Sequence, residues 1–566
     1  MPGLHDRRVR RAIDSAIPAQ SVQRSILRRL ADCLLRPNQC GARLTNFRHM
    51  IEGNPHDRAW NALRDKSLLK TKAYVNGVWV DHPKHWFVEN PATGERIAQV
   101  PSLGIVEAKN AIAAASAAWE TWRRQSAQER ALVLRRWMGL VLANADDLAL
   151  IISSEQGKPL MESVGEVVSG ASYIEWFAEE AKRVYGEIPT MRDSTVRMVT
   201  LRHPIGVCAA ITPWNFPLSM ITRKVSPALA AGCTVIVKPA EQAPLTALAL
   251  VELAERAGIP AGVFNVLTAD YADSVAIASV LCSDTAVRHV SFTGSTKVGR
   301  LLMRQAAPSL KRLSLELGGH APFIVFDDAD FEAAIQGAIA NKFRNAGQTC
   351  VCANRFYVQE TIYDRFVTAF ANATSQLKVG SGIEGDVSFG PLINEQALQK
   401  AERHVKDALD RGARLLTGGE RVNGGPHGHR FFKPTVLAEA TADMLCAREE
   451  TFGPIAPMFR FTDEAELSLR ANATDFGLAA YIYSRDIGRV LRVAEALEVG
   501  MIGINTARLS SEAAPFGGVK QSGLGREGSR HGIAEYLEMK CIVQKEGSGG
   551  AFRQGSHGLE ESVQTV

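Results

Sequence analysis

Between Pro204 and Leu317, short uninterrupted apolar runs alternate with longer stretches in which apolar residues recur every three or four positions. The runs Val207 to Ile211, Thr234 to Val237, Val263 to Val266 and His289 to Phe292 read as strands; Ile221 to Ala231, Ala243 to Ala257 and Ser295 to Ala307 read as helices. Strands that are apolar along their whole length have no solvent face, so this βα alternation predicts a parallel sheet covered by helices on both sides. Ligands bind such sheets just beyond the carboxyl ends of the strands. Upstream, Ala73 to Val80 predicts a hairpin around Asn76-Gly77. Amphipathic helices follow over Ile105 to Trp122, Ser126 to Ala143, Asp146 to about Gly157 and Met161 to Tyr185. Downstream, Pro322 to Phe326 opens a second α/β unit with helices near 330–343 and 363–375 and a segment at Arg414 to Leu416. A helix-like segment and a strand occupy about 525–545, and a polar tail follows from 546.

A chain of 566 residues, 46% hydrophobic and 22% charged, implies two or three globular domains. The net charge of +5 would suggest a nucleic-acid partner if it were spread over the body. The first fifty residues, however, hold ten arginines, no lysine and three aspartates, more than the whole surplus. The body is therefore near neutral, and no nucleic-acid partner is expected. No apolar run reaches the ~20 residues needed to span a bilayer, so no membrane partner is expected. Residues 1–70 read as an accessory extension, as sequence upstream of a start at Met50, or as a transit peptide with an amphipathic helix over Ser21 to Leu35. The nine cysteines are scattered, which fits a reducing compartment. Only Cys350 and Cys352 are close, and one Cys-x-Cys pair without a second pair or nearby histidines predicts no metal.

Candidate chemistry enters at Phe343-Arg344-Asn345-Ala346-Gly347-Gln348-Thr349-Cys350-Val351-Cys352, where a cysteine just past a glycine turn is set up as an exposed nucleophile. Alone it is no better than an even choice against a small buried core residue. Phe292-Thr293-Gly294-Ser295-Thr296-Lys297-Val298-Gly299 is not a nucleotide-hydrolysing loop, because Arg300-Leu301 stands where Lys-Ser/Thr is needed. It does put Gly294 and Ser295 at a helix N-terminus that can hold a pyrophosphate, although by itself an ordinary strand-to-helix turn is the better reading. Lys238 and Glu241 by themselves read as a solvated charge pair, and Glu316 as a solvated side chain at a strand end.

Taken in order, Trp214-Asn215-Phe216-Pro217, Lys238-Pro239-Ala240-Glu241, Glu316-Leu317-Gly318-Gly319, the Cys350 stretch and Glu449-Glu450-Thr451-Phe452-Gly453-Pro454 closely resemble the aldehyde dehydrogenase superfamily, and within it the succinate-semialdehyde dehydrogenases. The resemblance spans about residues 73 to 540. It implies an α/β fold with a Rossmann-type parallel-sheet cofactor domain (71–186 and 204–318), an α/β catalytic domain (319–524) and a small oligomerisation flap (187–203 and 525–545). It implies Cys350 as nucleophile, Glu316 as the base that activates water, and the Asn215 amide with the Cys350 backbone N–H as donors to the alkoxide. Trp214, Lys238, Glu241, Gly294, Ser295, Leu317, Glu450 and Phe452 are implied as cofactor contacts. A carboxylate at Glu241 accepts from both ribose hydroxyls and repels a 2′-phosphate, so NAD is expected ahead of NADP. Arg223, Arg344 and Ser510 match substrate anchors, and two arginines suit a short aldehyde with a distal carboxylate. The expected reaction is oxidation of succinate semialdehyde to succinate, with glutarate semialdehyde the nearest rival. A cysteine hydrolase without redox chemistry and a non-catalytic protein on the same fold are the alternatives. The resemblance further implies a homotetramer or homodimer, and a regulatory Cys350–Cys352 disulfide. A cytoplasmic location is expected, or the mitochondrial matrix if residues 1–70 are a transit peptide.

Overall fold

The computed structural model describes residues 60–383, 385–422 and 430–545. The predicted hairpin forms, β1 (Ala73–Val75) and β2 (Val78–Val80), with Asn76 and Gly77 both left-handed at its turn. A second antiparallel pair that the hydrophobic pattern did not reveal follows, β3 (His85–Glu89) and β4 (Arg96–Pro101). Four helices come next: α1 (Ile105–Trp122), α2 (Ala127–Ala143), α3 (Ala145–Gln156) and α4 (Leu160–Glu180). Ser126 caps α2 in a reciprocal box with Glu129, and left-handed Gly157 ends α3. Then come β5 (Val196–Pro204), β6 (Val207–Ile211), α5 (Ser219–Ala231), β7 (Thr234–Lys238), α6 (Leu245–Arg256) and β8 (Phe264–Val266). The unit closes with α7 (Tyr271–Ser283), β9 (Val287–Thr293), α8 (Thr296–Ala306) and β10 (Arg312–Glu316).

These strands, with a short β20 (Gly523–Leu524), form an eight-stranded sheet in the order β2-β1-β8-β7-β6-β9-β10-β20. The central strands β8, β7, β6, β9 and β10 are parallel. The chain steps from β6 outward through β7 to β8 and then returns to β9 on the other side of β6. The topological switch point therefore lies between β6 and β9.

The second unit contains β11 (Ala321–Val325), α9 (Phe331–Lys342), β12 (Ala353–Gln359), α10 (Glu360–Ser375), α11 (Glu395–Asp410), β13 (Arg414–Thr417), β14 (Thr435–Ala438), α12 (Leu445–Arg448) and β15 (Ile455–Phe461). It continues through α13 (Glu464–Asn472), β16 (Phe476–Gly477), β17 (Ala479–Tyr483), α14 (Ile487–Ala496), β18 (Met501–Ile504) and β19 (Val519–Lys520). Its seven-stranded sheet runs β13-β14-β15-β12-β11-β17-β18 and has its own apolar core around Phe323, Phe356, Phe370 and Tyr481. The chain passes from the first sheet to the second through Leu317 to His320. The carboxyl end of β10 thereby adjoins the amino ends of β11 and β12.

The last elements, α15 (Ser529–Ala534) and β21 (Leu537–Lys545), return to the first unit, and β21 pairs antiparallel with β5 along its whole length. Two boundaries differ from the sequence reading. Residues 60–70, assigned there to the extension, are docked: Leu63 and Leu68 are buried, and Asp147 accepts the backbone N–H groups of Arg64 and Asp65. Residues 1–59, with the Ser21 to Leu35 helix, and the tail from 546 lie outside the described residues. The first sheet also takes in β20, from the segment assigned to the second unit.

Candidate active site

Four of the five parallel strands of the first sheet end at polar residues that are buried. Thr212 follows β6, Lys238 ends β7, Thr293 ends β9 and Glu316 ends β10. Of these, the Thr212 and Thr293 hydroxyls and Glu316 Oε2 have no hydrogen-bond partner. Buried polar atoms are almost always paired, so unpaired ones lined up at the carboxyl edge and the switch point mark a ligand crevice. Lys238 is not the solvated residue its sequence position suggests. It is buried, its nearest carboxylate is Glu241 at 3.8 Å, and desolvation lowers its pKa to about 8 against the pull of Glu241. Glu241 is pinned through its carbonyl, which accepts from the Trp86 indole N–H. Gly294 donates to the Glu316 carbonyl at 3.0 Å, and Ser295 caps α8 rather than beginning it.

Across the crevice Trp214 meets Phe452 edge to face at 5.7 Å, with Phe452 held in a left-handed conformation (φ 51°). The Glu450 carboxylate accepts the Gly319 N–H at 2.9 Å, and burial pushes its pKa up to about 7. Leu317 donates its N–H to the Ser522 carbonyl. Gly319 is required here for close approach: a Cβ on it would lie 2.4 Å from the Cys350 carbonyl oxygen.

Cys350 follows a turn in which Asn345, Ala346 and Gly347 are all left-handed (φ 51°, 57° and 73°). Two non-glycine residues there cost about 1–2 kcal/mol each, and the cost is offset by buried amides. Asn345 Nδ2 donates to the carbonyls of Asn215 and Gln348. Gln348 Nε2 donates to the carbonyls of Asn345 and Pro391, and its Oε1 accepts from Ile393 N–H. Tyr481 Oη donates to the Val351 carbonyl at 2.7 Å. Asn215 Nδ2 reaches the Gln348 carbonyl at 3.1 Å, which places this amide beside the nucleophile turn.

The thiol is not the exposed group expected from a glycine turn. Cys350 is only partly exposed, and burial pushes its pKa up to about 12, with Arg223 opposing the shift and Glu450, Glu316 and Glu527 adding to it. Its neighbour Cys352 is buried, and its Sγ donates weakly to the Lys342 and Ala353 carbonyls; both thiols are free.

Glu316 is also buried rather than solvated. Desolvation, then the nearby Glu527, raise its pKa well above the carboxylate range, while Lys224, Arg526 and Arg223 pull it down. Glu527 bonds Lys224 Nζ and lies 3.8 Å from Arg223. The sequence reading did not single out Lys224 or Glu527. The available signal was Arg223-Lys224 inside α5, a helix every residue of which is buried, where both cations must find partners.

One pocket is lined by Cys350, Arg223, Arg344, Ser510, Phe216 and Phe516, among others, so all three expected substrate anchors share it with the thiol. The Arg223 guanidinium lies between the rings of Tyr173 (4.7 Å) and Phe516 (4.6 Å), and its Nε and Nη1 are buried without hydrogen-bond partners. Burial alone would depress its pKa, but Tyr173, Glu527, Cys350 and Glu316 together raise it. Arg344 is exposed at the mouth with its guanidinium 4.9 Å over Phe216, and Ser510 is exposed beside it.

The sequence profile of the aldehyde dehydrogenase family matches residues 79–542. The chain is 57% identical over 482 residues to a 3-sulfolactaldehyde dehydrogenase of Pseudomonas putida, covering 85% of this chain and 98% of the relative. It is 54% identical over 484 residues to the NADP(+)-dependent succinate-semialdehyde dehydrogenase of Escherichia coli K12, covering 85% and 99% of the two chains. The crystal structure of a succinate-semialdehyde dehydrogenase from Burkholderia pseudomallei superimposes with a TM-score of 0.84 at 58% identity, over 86% of this chain and all of that one.

Proposed function

The chain belongs to the aldehyde dehydrogenase family, and on that premise we propose that it oxidises succinate semialdehyde to succinate with NAD as the preferred acceptor and NADP as a poorer one. The observation that carries the substrate is the shared pocket, in which a buried arginine with two unpaired N–H-bearing nitrogens stands near the thiol. A distal carboxylate would satisfy those nitrogens, and Arg344 and Ser510 would hold it at the mouth.

In this reading the Cys350 sulfur attacks the aldehyde carbon, and the resulting alkoxide receives the Asn215 amide and the Cys350 backbone N–H. A nicotinamide held there would supply the hydride acceptor for that carbon. Glu316, whose carboxyl desolvation holds above the usual range, takes a proton from the water that hydrolyses the Cys350 thioester, giving the product acid and releasing the sulfur as thiolate. The residues fit the cofactor: Lys238 and Glu241 would hold the adenosine ribose, Gly294 and Ser295 the pyrophosphate, and Glu450 and Phe452 the nicotinamide ribose, with Trp214 and Leu317 flanking the ring. Residues 71–186 and 204–318 serve as the cofactor domain and 319–524 as the catalytic domain. The β5–β21 ribbon, with exposed Leu201, Met539, Ile542 and Val543, is the flap that joins subunits into a dimer or tetramer. Peroxide would join the Cys350 and Cys352 thiols in a disulfide with release of two waters, and activity lost this way would return with dithiothreitol.

The relatives carry rival substrates that share one feature, a short aldehyde with a distal anion, so the test compares them directly. Initial rates of nicotinamide reduction are measured with NAD and NADP for succinate semialdehyde, glutarate semialdehyde, 3-sulfolactaldehyde and butanal. Succinate semialdehyde with NAD should give the highest kcat/KM and butanal the lowest. A higher value for either anionic rival moves the substrate within the family, and a higher value for butanal removes the arginine clamp.

A further inference from the structure

The turn between α3 and α4 carries Gln156, Gly157 and Lys158, none of which touches the pocket's arginines or the thiol in a way the proposed reaction uses. All of Gln156, Lys158 and Glu166 are buried, with Gln156 at 0% and the other two at 1% exposure. Lys158 Nζ donates to Glu166 Oε2 at 2.5 Å and to the Asn215 carbonyl at 2.7 Å, and it stands 3.9 Å over the Phe216 ring. The other oxygen of Glu166 accepts the N–H groups of Leu218 (2.8 Å) and Ser219 (3.2 Å), where α5 begins. One ion pair therefore grips the segment 215–219 at four points, Asn215, Phe216, Leu218 and Ser219.

The same turn reaches the nucleophile loop. Gln156 Nε2 donates to Asn345 Oδ1 at 2.9 Å, and Gln156 Oε1 accepts the Lys158 N–H. Asn345 Nδ2 then donates to the Asn215 carbonyl, which is the acceptor Lys158 also uses. The Asn215 turn and the Cys350 loop belong to different sheets, and these bonds tie the two in register.

We propose that Lys158 and Glu166, linked through Gln156 and Asn345 to the loop before Cys350, form a positioning unit that aims the Asn215 amide at the alkoxide formed on Cys350. The proposal rests on the preceding reading of Asn215 as an alkoxide donor. A buried ion pair is a poor way to gain stability, since its desolvation consumes most of its Coulomb energy. Its use here is geometric: an ammonium with three donors and a carboxylate with two oxygens fix carbonyl and N–H groups that no apolar pair could hold. Lys158 and Glu166 are positioning residues because they act through Asn215.

The test is a mutant cycle. Lys158→Met alone strands a buried carboxylate and can fail to fold, so the pair is changed together as Lys158→Met with Glu166→Gln, which leaves no buried charge unpaired. With the aldehyde that the wild type oxidises fastest, the paired variant should lose about 10- to 100-fold in kcat, a part of the ~10²–10³ that a lost oxyanion donor costs. KM for the aldehyde should stay within about threefold, because Arg223 and Arg344 are untouched. Asn215→Ala should lose the full amount, and adding the pair to Asn215→Ala should lower kcat no further. A crystal structure of the paired variant should show Asn215 Nδ2 out of hydrogen-bond reach of the Gln348 carbonyl. Losses that multiply in the triple variant, or an Asn215 side chain unmoved in that crystal structure, overturn the proposal. A wild type that oxidises no aldehyde refutes the proposed function instead, and the crystal structure then decides the positioning on its own.

Discussion

Replacing Arg223 by methionine separates the clamp from every other reason to keep an arginine there. The side chain is 4% exposed and sandwiched between Tyr173 and Phe516, so an unbranched apolar side chain of similar reach preserves the packing. Glu527 loses a neighbour at 3.8 Å but retains its bond to Lys224, so the fold should survive with a modest fall in Tm, checked by thermal melts. Arg223 has two effects on the reaction. It offers Nε and Nη1 to the distal carboxylate, and it holds the Cys350 thiol below the value burial alone would impose.

The first effect is confined to carboxylated aldehydes; the second is common to all. Hydrogen bonds to a charged group contribute about 1.5–3 kcal/mol, so kcat/KM for succinate semialdehyde should fall about 10- to 150-fold more than kcat/KM for butanal. The assay is the ratio of the two values in wild type and variant, in which the common loss through Cys350 cancels. A ratio that stays constant while both values fall would refute the clamp and leave Arg223 acting on the thiol alone.

Three further outcomes follow from the same geometry. Glu316→Gln should still acylate but not hydrolyse, giving a burst of about one reduced nicotinamide per subunit and then a rate ~10²–10⁴-fold below wild type in stopped-flow absorbance; loss of the burst itself would assign Glu316 to the first step. Glu241→Ser should shift the NAD-to-NADP ratio of kcat/KM about tenfold toward NADP, since a charge facing the 2′-phosphate is removed; an unchanged ratio would place cofactor choice elsewhere. Because burial holds the Cys350 thiol near 12, its thiolate fraction in the free enzyme should grow tenfold per pH unit between pH 7 and 10, and iodoacetamide labelling, located by peptide mapping, should grow with it. A plateau below pH 9 would mean that the thiol is far more acidic than its surroundings in this structure allow.

The elements that the hydrophobic pattern located most exactly are those with the least ambiguous burial. Helix α1 begins and ends where its three- and four-residue spacing does, and β6 coincides with its apolar run. The pair β3 and β4 escaped because its strands are short and partly exposed and carry Pro101 and the charged ends Glu89 and Arg96, which reads as loop. Several strands of the second sheet were left unassigned for a different reason: β15 and β18 are short apolar runs interrupted by Pro457 and Gly503. In the site, the motifs named the residues that the proposed chemistry uses. They were silent on the state of those residues, because solvation is a tertiary property. Cys350 and Glu316 read as exposed and are desolvated, and Lys238 reads as half of a surface pair and is buried.

The buried supports were the least legible part, and composition explains why. Lysines and glutamates are normally solvated, so nothing in Gly-Lys-Pro marks Lys158 as an interior cation, and nothing in the pattern of α4 marks Glu166 as its partner. Both become visible only when α3, α4 and α5 close around them. The pocket divides its work in a similar way between what a sequence states and what packing decides. On the proposed reading, Arg223 and Arg344 select for an anion at the far end of a short aldehyde, and their planar forks would accept a carboxylate or a sulfonate alike. On the same reading, chain length would be set by Phe216, Met220 and Phe516, apolar residues that line the pocket with Cys350. A methylene there changes binding by only about 1–3 kcal/mol. Discrimination among succinate semialdehyde, glutarate semialdehyde and 3-sulfolactaldehyde would therefore rest on the packing of those three side chains. Relatives more than half identical to this chain are accordingly named for different aldehydes.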